Sequence, residues 1–138
     1  MIQKYEWSTL LLRVVLGLTF FVHGLVKFQG GIGNTVGWFE SISLPGSLAY
    51  GVALLELVGG IALIIGLGSR VVSALLSLMM VGAIIKVQLA AGFIGGYELD
   101  LALLTISVFI VVNGSKLYAL DQLIFKRNEQ NNETSKAA

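Results

Sequence analysis

The stretch LLELVGGIALIIGLGSRVVSALLSLMMVGAIIKV, residues 54–87, decides the fold. It contains two long apolar segments separated by the short sequence Gly66–Arg70. A helix that crosses the hydrocarbon core of a bilayer needs about 20 mostly apolar residues. With their flanks, the two segments run from about Leu48 to Leu67 and from about Val71 to Phe93. The stretch therefore predicts two membrane-spanning helices joined by a tight turn.

Two further apolar segments complete a four-helix bundle. One runs from about Ser8 to Phe28, and the other begins near Tyr97 and keeps a strictly apolar core as far as Val112. Because this core is short, we expect the fourth helix to continue through residues 113–120. Only 12% of the 138 residues are charged, whereas a soluble domain carries about 25%.

The chain is therefore predicted to be an all-α membrane protein with one four-helix transmembrane domain, residues 1–125. The polar segment 126–138 is predicted to be a disordered tail. The apolar run from Thr9 has no cleavage site after it, which is typical of a retained span rather than of a signal peptide.

The basic residues predict the orientation of the bundle. With four spans both termini share one side, and that side carries Lys4, Arg70, Lys116 and the basic residues of the tail. The positive-inside rule therefore places both termini in the cytoplasm. The long connection 29–47 would then face outward.

Ionisable residues from all four predicted helices lie in the outer half of the bundle. At ~1.5 Å per residue, His23 is roughly 20 Å from the cytoplasmic start of its helix, and Glu56 is about 12 Å from the outer start of its own. The complete set is His23, Lys27, Glu56, Lys86, Glu98 and Asp100. An unpaired charge in lipid costs at least ~2.5 kcal/mol. We therefore expect Glu56 to pair with Lys86 and, near the other face, Arg13 to form a structural ion pair with Asp121.

Structural readings of these residues stay open beside functional ones. Arg13 and Lys27 can reach the interface by extending their side chains. Glu98 and Asp100 suit a helix N-terminus, where the helix dipole favours negative charge. A carboxylate deep in a span, as predicted for Glu56, is a functional hypothesis by default, although a purely structural pair is an equal alternative.

Three sequence blocks, taken in order, resemble the DoxX family of small bacterial membrane proteins. They are RVVLGLTFFVHGLVKFQGG from Arg13, LELVGGIALIIGLGSR from Leu55, and GGYELDLALLTISVFIVVNGSKLYALD from Gly95. Together they extend over nearly the whole chain before the polar tail. The resemblance implies a multi-pass protein of the bacterial plasma membrane. It also implies an oxidoreductase, or the membrane subunit of one, linked to catechol, quinone or oxidative-stress responses.

The residue inventory narrows the redox chemistry that this resemblance implies. The chain has no cysteine, which excludes a thiol–disulfide relay and an iron–sulfur cluster. Its single histidine cannot supply a bis-histidine haem site within one chain, and no dinucleotide-binding G-x-G-x-x-G motif follows a strand. No metal site is predicted. The electron carrier would therefore come from outside the chain, and a lipophilic quinone is the best candidate.

In this reading His23 or Glu56 exchanges a proton with a quinol oxygen. Lys86 or Lys27 donates to a quinone carbonyl or stabilises a semiquinone charge. The remaining predicted ligand-binding residues are Glu98, Asp100, Phe20, Phe21 and Phe93, whose aromatic members would line the ring.

Two other classes of function remain open on the sequence. The chain could be a non-catalytic membrane anchor for a soluble redox partner protein. It could also transport a small aromatic compound, for which four short helices would require a homodimer. A net charge of +1 gives no case for nucleic acid as a partner.

Overall fold

The computed structural model describes residues 3–138, and this part of the chain forms helices and no strand. The helices are α1 (Lys4–Gln29), α2 (Ile32–Ser41), α3 (Gly46–Ile65), α4 (Ser69–Ala83), α5 (Glu98–Asn113) and α6 (Leu120–Ala137). Between α4 and α5 the chain forms a wide π-helical turn at Ile84–Gln88, a 3-10 turn at Leu89–Ala91 and a kinked π-helical turn at Phe93–Tyr97.

Four helical stretches are long and apolar enough to cross a membrane, which confirms the predicted four-helix transmembrane fold. They are Lys4–Gln29, Gly46–Ile65, Ser69–Ala91 and Phe93–Asn113. The first span begins and the fourth ends at the same end of the bundle, where the Trp7 and Tyr118 rings meet edge to face at 6.0 Å. The location of that end in the cytoplasm stays a prediction.

Glycines let α1 and α3 pack backbone against backbone. A Cβ atom on Gly60 would lie 2.5 Å from the backbone nitrogen of Phe21, and one on Gly24 would lie 2.6 Å from that of Leu57. No larger residue fits at either place without a backbone shift, as is usual where membrane helices approach closely. Glu56 lies one turn from Gly60, and Lys27 lies one turn from Gly24, so this packing turns both charged residues toward each other.

A cluster of large apolar side chains fills the middle of the bundle. α1, α3, α4 and α5 all contribute to it, with the buried residues Leu16, Phe20, Leu63, Leu76, Met80, Leu103 and Ile110. This apolar core separates two polar regions. We call the region where α1 begins the Arg13 end. We call the region where α1 terminates the cavity end, because the helices enclose a cavity there.

At the Arg13 end, the predicted ion pair between Arg13 and Asp121 is not formed. The Arg13 guanidinium is buried and donates to the carbonyl oxygens of Ser115, Leu117 and Tyr118 at 3.1–3.4 Å. The Asp121 carboxylate instead accepts the Gly68 N–H at 2.8 Å. These carbonyls belong to the connection between α5 and α6, which Arg13 thereby holds against α1.

The fourth span ends earlier than we expected. α5 stops at Asn113, because Gly114 has a φ of 69°, in the left-handed region that glycine tolerates best. The expected continuation through residues 113–120 was therefore wrong. The span gains its length at the other end, where it begins at Phe93.

The C-terminal segment also differs from the expectation. Residues 126–138 were predicted to be disordered, but they continue α6, which extends to Ala137 with exposed side chains. Eight of its thirteen residues are Lys, Arg, Glu, Gln or Ala, which lose little or no side-chain freedom in a helix.

Candidate functional site: a cavity at one end of the bundle

A cavity of about 880 Å³ lies between the helices at the cavity end. Small-molecule sites usually measure about 300–1,000 Å³, so the space suffices for a ligand larger than a single ring. All four spans and the α2 region line it. Its ionisable lining residues are His23, Lys27, Glu56, Lys86 and Asp100.

An ion pair between α1 and α3 forms the charged wall of the cavity. Lys27 Nζ donates to Glu56 Oε2 at 2.5 Å. The expected pairing of Glu56 with Lys86 was therefore wrong. The glycine contacts between α1 and α3 bring Lys27 and Glu56 within reach, whereas Lys86 lies on α4's extension at the exposed rim of the cavity.

The α1 and α5 walls add a second group of opposite charges. Asp100 lies in the first turn of α5 and lines the cavity together with His23 and Lys27. His23 is one helical turn before Lys27, so the two side chains lie on the same part of α1. The cavity therefore presents acidic and basic groups side by side, which suits proton exchange with a bound polar group.

The π-helical turn shapes the α4 wall. π-helical turns interrupt α-helices rarely and are frequent at functional sites. Here the turn covers Ile84–Gln88, and residues 85–88 all line the cavity. Lys86 and Gln88 are the two members of this turn that can donate hydrogen bonds to a ligand.

The connection between α1 and α3 roofs the cavity at the bundle end. Trp38 and Phe39 of α2 line the cavity, together with Leu44 just after that helix. We did not predict these residues as part of the site. The aromatic pair in the sequence GWFES, inside a connection long enough for a short helix, was the available signal.

Comparison with known proteins identifies the chain's relatives. The family model described as DoxX matches residues 8–89, more than half of the chain. The chain belongs to the DoxX family. The predicted family resemblance is thus confirmed, and the family together with the four apolar helices makes the chain a multi-pass membrane protein.

Individual relatives of this DoxX chain cover most of its length. It is 46% identical over 130 residues to "Putative oxidoreductase CatD" of Bacillus subtilis (strain 168), covering 94% of this chain and 96% of that protein. It is 30% identical to "Uncharacterized membrane protein Rv3486" of Mycobacterium tuberculosis (strain ATCC 25618 / H37Rv), covering 87% and 83% respectively. A Haemophilus influenzae protein (strain ATCC 51907 / DSM 11121 / KW20 / Rd) is also 30% identical, covering 91% and 98%. No solved structure matches the chain.

The region matched by the DoxX model contains most of the ionisable lining of the cavity. His23, Lys27, Glu56 and Lys86 lie within residues 8–89, and Asp100 follows on α5. The structure thus places His23, Glu56 and Lys86, which we predicted as catalytic, around one cavity. Their catalytic role stays a prediction.

Three of the predicted ligand-binding residues of the DoxX chain do not line the cavity, whereas Phe20, Lys27 and Asp100 do. The Glu98 carboxylate accepts the Gly95 N–H at 3.2 Å and so closes the turn before α5. Phe93 packs edge to face against Tyr97 and is half exposed. The backbone of Phe21 lies at the close contact with Gly60.

The lining chemistry favours an organic ligand over a metal ion. Within residues 3–138, no group of three or more His, Cys, Asp or Glu side chains is placed to hold a metal ion. Most of the lining is aliphatic, aromatic or thioether, including Phe20, Phe39, Met79 and Met80. An apolar wall with a few convergent polar groups is typical of a small-molecule site.

Proposed function

We propose that this DoxX protein binds a lipophilic quinone in the cavity and takes part in quinone-linked redox chemistry at the plasma membrane. The main observation behind this proposal is the cavity, which combines ionisable residues with an aromatic and aliphatic lining. The ionisable residues are the Lys27–Glu56 pair, His23, Lys86 and Asp100. The relative from Bacillus subtilis is named an oxidoreductase, which supports the reaction class.

The roles follow from the chemistry of a quinone. Its two carbonyl oxygens accept hydrogen bonds, and Lys27, Lys86 and His23 can donate them. The apolar wall, including Phe20 and Phe39, would hold the ring. Reduction to the quinol adds two electrons and two protons. We propose that His23 and the Lys27–Glu56 pair deliver the protons, because Lys27 carries the proton of this ion pair and all three side chains line the cavity.

The two electrons must come from outside the chain. A protein without cysteine cannot hold an iron–sulfur cluster, and we propose a soluble dehydrogenase as the electron donor. In this scheme the DoxX protein is the quinone-binding membrane subunit. Catechol or quinone stress is the physiological setting that we propose for it.

The experiment is a binding titration of the purified protein in detergent with 2-methyl-1,4-naphthoquinone. We expect saturable binding to the wild type and at least a tenfold weaker affinity for Glu56→Gln, since this change removes the charge paired with Lys27. Glu129→Gln, on the exposed face of α6, is the matched control and should bind like the wild type. Absence of binding to the wild type, or equal binding by Glu56→Gln, would overturn the proposal.

An anchor for a soluble partner is the second candidate, and α6 favours it. This helix leaves Leu123 and Phe125 exposed next to Lys126 and Arg127 at the Arg13 end of the bundle. If anchoring is the whole function, deleting residues 123–138, which removes these four side chains, would release the partner. In that case neither the full-length protein nor the truncated protein would bind naphthoquinone.

The apolar core argues against a transporter. Transport requires a path that opens to both faces of the membrane. Four buried apolar residues that do not line the cavity, Leu16, Leu63, Leu76 and Ile110, fill the bundle between it and the Arg13 end. A site that binds from one side of such a barrier suits a membrane-borne reactant better than a transported solute.

A further inference from the structure

We propose that the gap between α3 and α4 is a lateral portal, through which a ligand enters from the bilayer and in which its long apolar tail stays bound. This inference rests on the proposed function and narrows the ligand to an amphiphile with a polar ring and a hydrocarbon chain. We define the portal by Leu48 and Gly51 on α3 and by Leu78, Gly82 and Ile85 on α4 and its extension.

The positions of these residues place the gap away from the closest packing of the two helices. α3 and α4 are joined by the short turn around Gly66, and near this turn a Cβ on Gly59 would lie 3.2 Å from Val72. The portal residues lie at the opposite ends of both helices. The two helices therefore border the cavity beyond their contact.

The exposure of the portal residues indicates that the gap is open. Leu78 and Ile85 line the cavity and yet are 72% and 69% exposed. Gly51 and Gly82 also line it, and a Cβ on either would meet nothing within 4 Å. Residues that both line a cavity and face outward form its rim.

The depth of the rim decides which phase it faces. Gly82 lies nine residues before the end of the third span at Ala91, a rise of about 13 Å. At that depth the surroundings are hydrocarbon rather than water. The rim has no charged residue until Lys86, so an acyl or isoprenoid chain can lie in it.

At the bundle end, Trp38, Phe39 and Leu44 of the α2 region line the cavity, and of these Phe39 is buried whereas Trp38 is half exposed. The charged lining residues Lys27 and Asp100 lie on α1 and α5, which do not border the portal, and Glu56 on α3 is paired with Lys27. A ligand that enters through the gap would present its polar ring to these groups and leave its tail between the two helices.

The test compares two quinones that share one ring. The probes are 2-methyl-1,4-naphthoquinone and the same ring with a four-unit prenyl tail, each titrated into the purified full-length protein. We expect Gly82→Trp, which fills the portal, to weaken binding of the tailed quinone at least tenfold. The equilibrium affinity for the tail-less quinone should change less than twofold, because a narrower entry slows its association and dissociation alike.

Val81→Trp is the matched control, because Val81 is exposed on the same helix but does not line the cavity. It should bind both quinones like the wild type. Gly51→Trp, on the other side of the portal, should repeat the result of Gly82→Trp. Equal effects of the portal variants on the two quinones, or none on either, would overturn the portal.

The outcomes separate the portal from the proposed function. If the wild type binds both quinones and Gly82→Trp still binds both unchanged, only the portal fails. If the wild type binds neither quinone, the proposed function fails and the portal with it. Binding of a tail without a ring, tested with geranylgeraniol, at the affinity of the tailed quinone would also overturn it, because the gap would then be a lipid groove.

Discussion

Removing Lys27 should destabilise the protein far more than neutralising its partner Glu56. The Glu56 side chain is 7% exposed and lies in the middle of its span. The Lys27 side chain is 27% exposed, and Lys27 lies two residues before the end of α1. In Lys27→Met, Glu56 keeps its buried site without a counter-charge. In Glu56→Gln, Lys27 can extend toward the interface.

The magnitudes follow from this asymmetry. Removing one partner of a buried ion pair costs about 3–5 kcal/mol, because the other charge stays buried. We expect about 3 kcal/mol for Lys27→Met, since some water reaches this pair, and about 1 kcal/mol for Glu56→Gln, the scale of one hydrogen bond. The difference of about 2 kcal/mol corresponds to roughly a 30-fold change in the folding equilibrium.

The assay is unfolding by sodium dodecyl sulfate in mixed micelles, followed by far-ultraviolet circular dichroism. Lys126→Met, in the exposed part of α6, is the control for loss of a positive charge. The double variant Lys27→Met/Glu56→Gln should be more stable than Lys27→Met alone, because it leaves no buried charge. An equal cost for the two single variants, or additive costs in the double variant, would refute the reasoning.

Two further predictions concern packing and the Arg13 end. Gly60→Ala should lower the free energy of unfolding by about 1–3 kcal/mol or more, because the new Cβ would meet the Phe21 backbone nitrogen at 2.5 Å. Gly82→Ala, in open space, should cost nothing in the same titration, and equal losses would contradict the close helix contact. Arg13→Lys should cost about 2 kcal/mol, since an ammonium group cannot reproduce the spread of guanidinium bonds to Ser115, Leu117 and Tyr118. The control Arg127→Lys should change the free energy of unfolding by no more than about 0.5 kcal/mol. In Arg13→Lys alone, we expect faster proteolysis between residues 113 and 120, because the connection after α5 is no longer held by Arg13.

The sequence was sufficient for the transmembrane fold because hydropathy and span length act locally. Each apolar segment must satisfy its backbone hydrogen bonds internally within the bilayer, so four segments give four helices whatever their mutual packing. The positions of the helix ends could be predicted less well from the sequence. The stop at Asn113 depends on Gly114 and on Arg13, which lies about a hundred residues away in sequence.

The candidate site was partly predictable for a related reason. Depth along each helix could be counted from the sequence, which brought His23, Glu56, Lys86 and Asp100 to one level. The rotation of each helix about its own axis, relative to its neighbours, could not be derived from residue spacing. The partner of Glu56 depends on the glycine contact between α1 and α3, which is a property of two helices together.

The contribution of α2 to the cavity could not be predicted, for a different reason. Its ten residues are too few to span a membrane. They form a helix that places Trp38 and Phe39 over a cavity whose other walls come from distant segments. No local rule connects that aromatic pair to the site.

The most direct measurement uses the chain's two tryptophans as position markers for a bound quinone. Trp38 lines the cavity, and Trp7 lies at the Arg13 end beside Tyr118. Quinones quench indole fluorescence at short range, so Trp7→Phe and Trp38→Phe each leave one reporter. We predict saturable quenching by 2-methyl-1,4-naphthoquinone in Trp7→Phe, and little in Trp38→Phe. Equal quenching of both reporters, or quenching of Trp7 alone, would contradict a quinone site in this cavity.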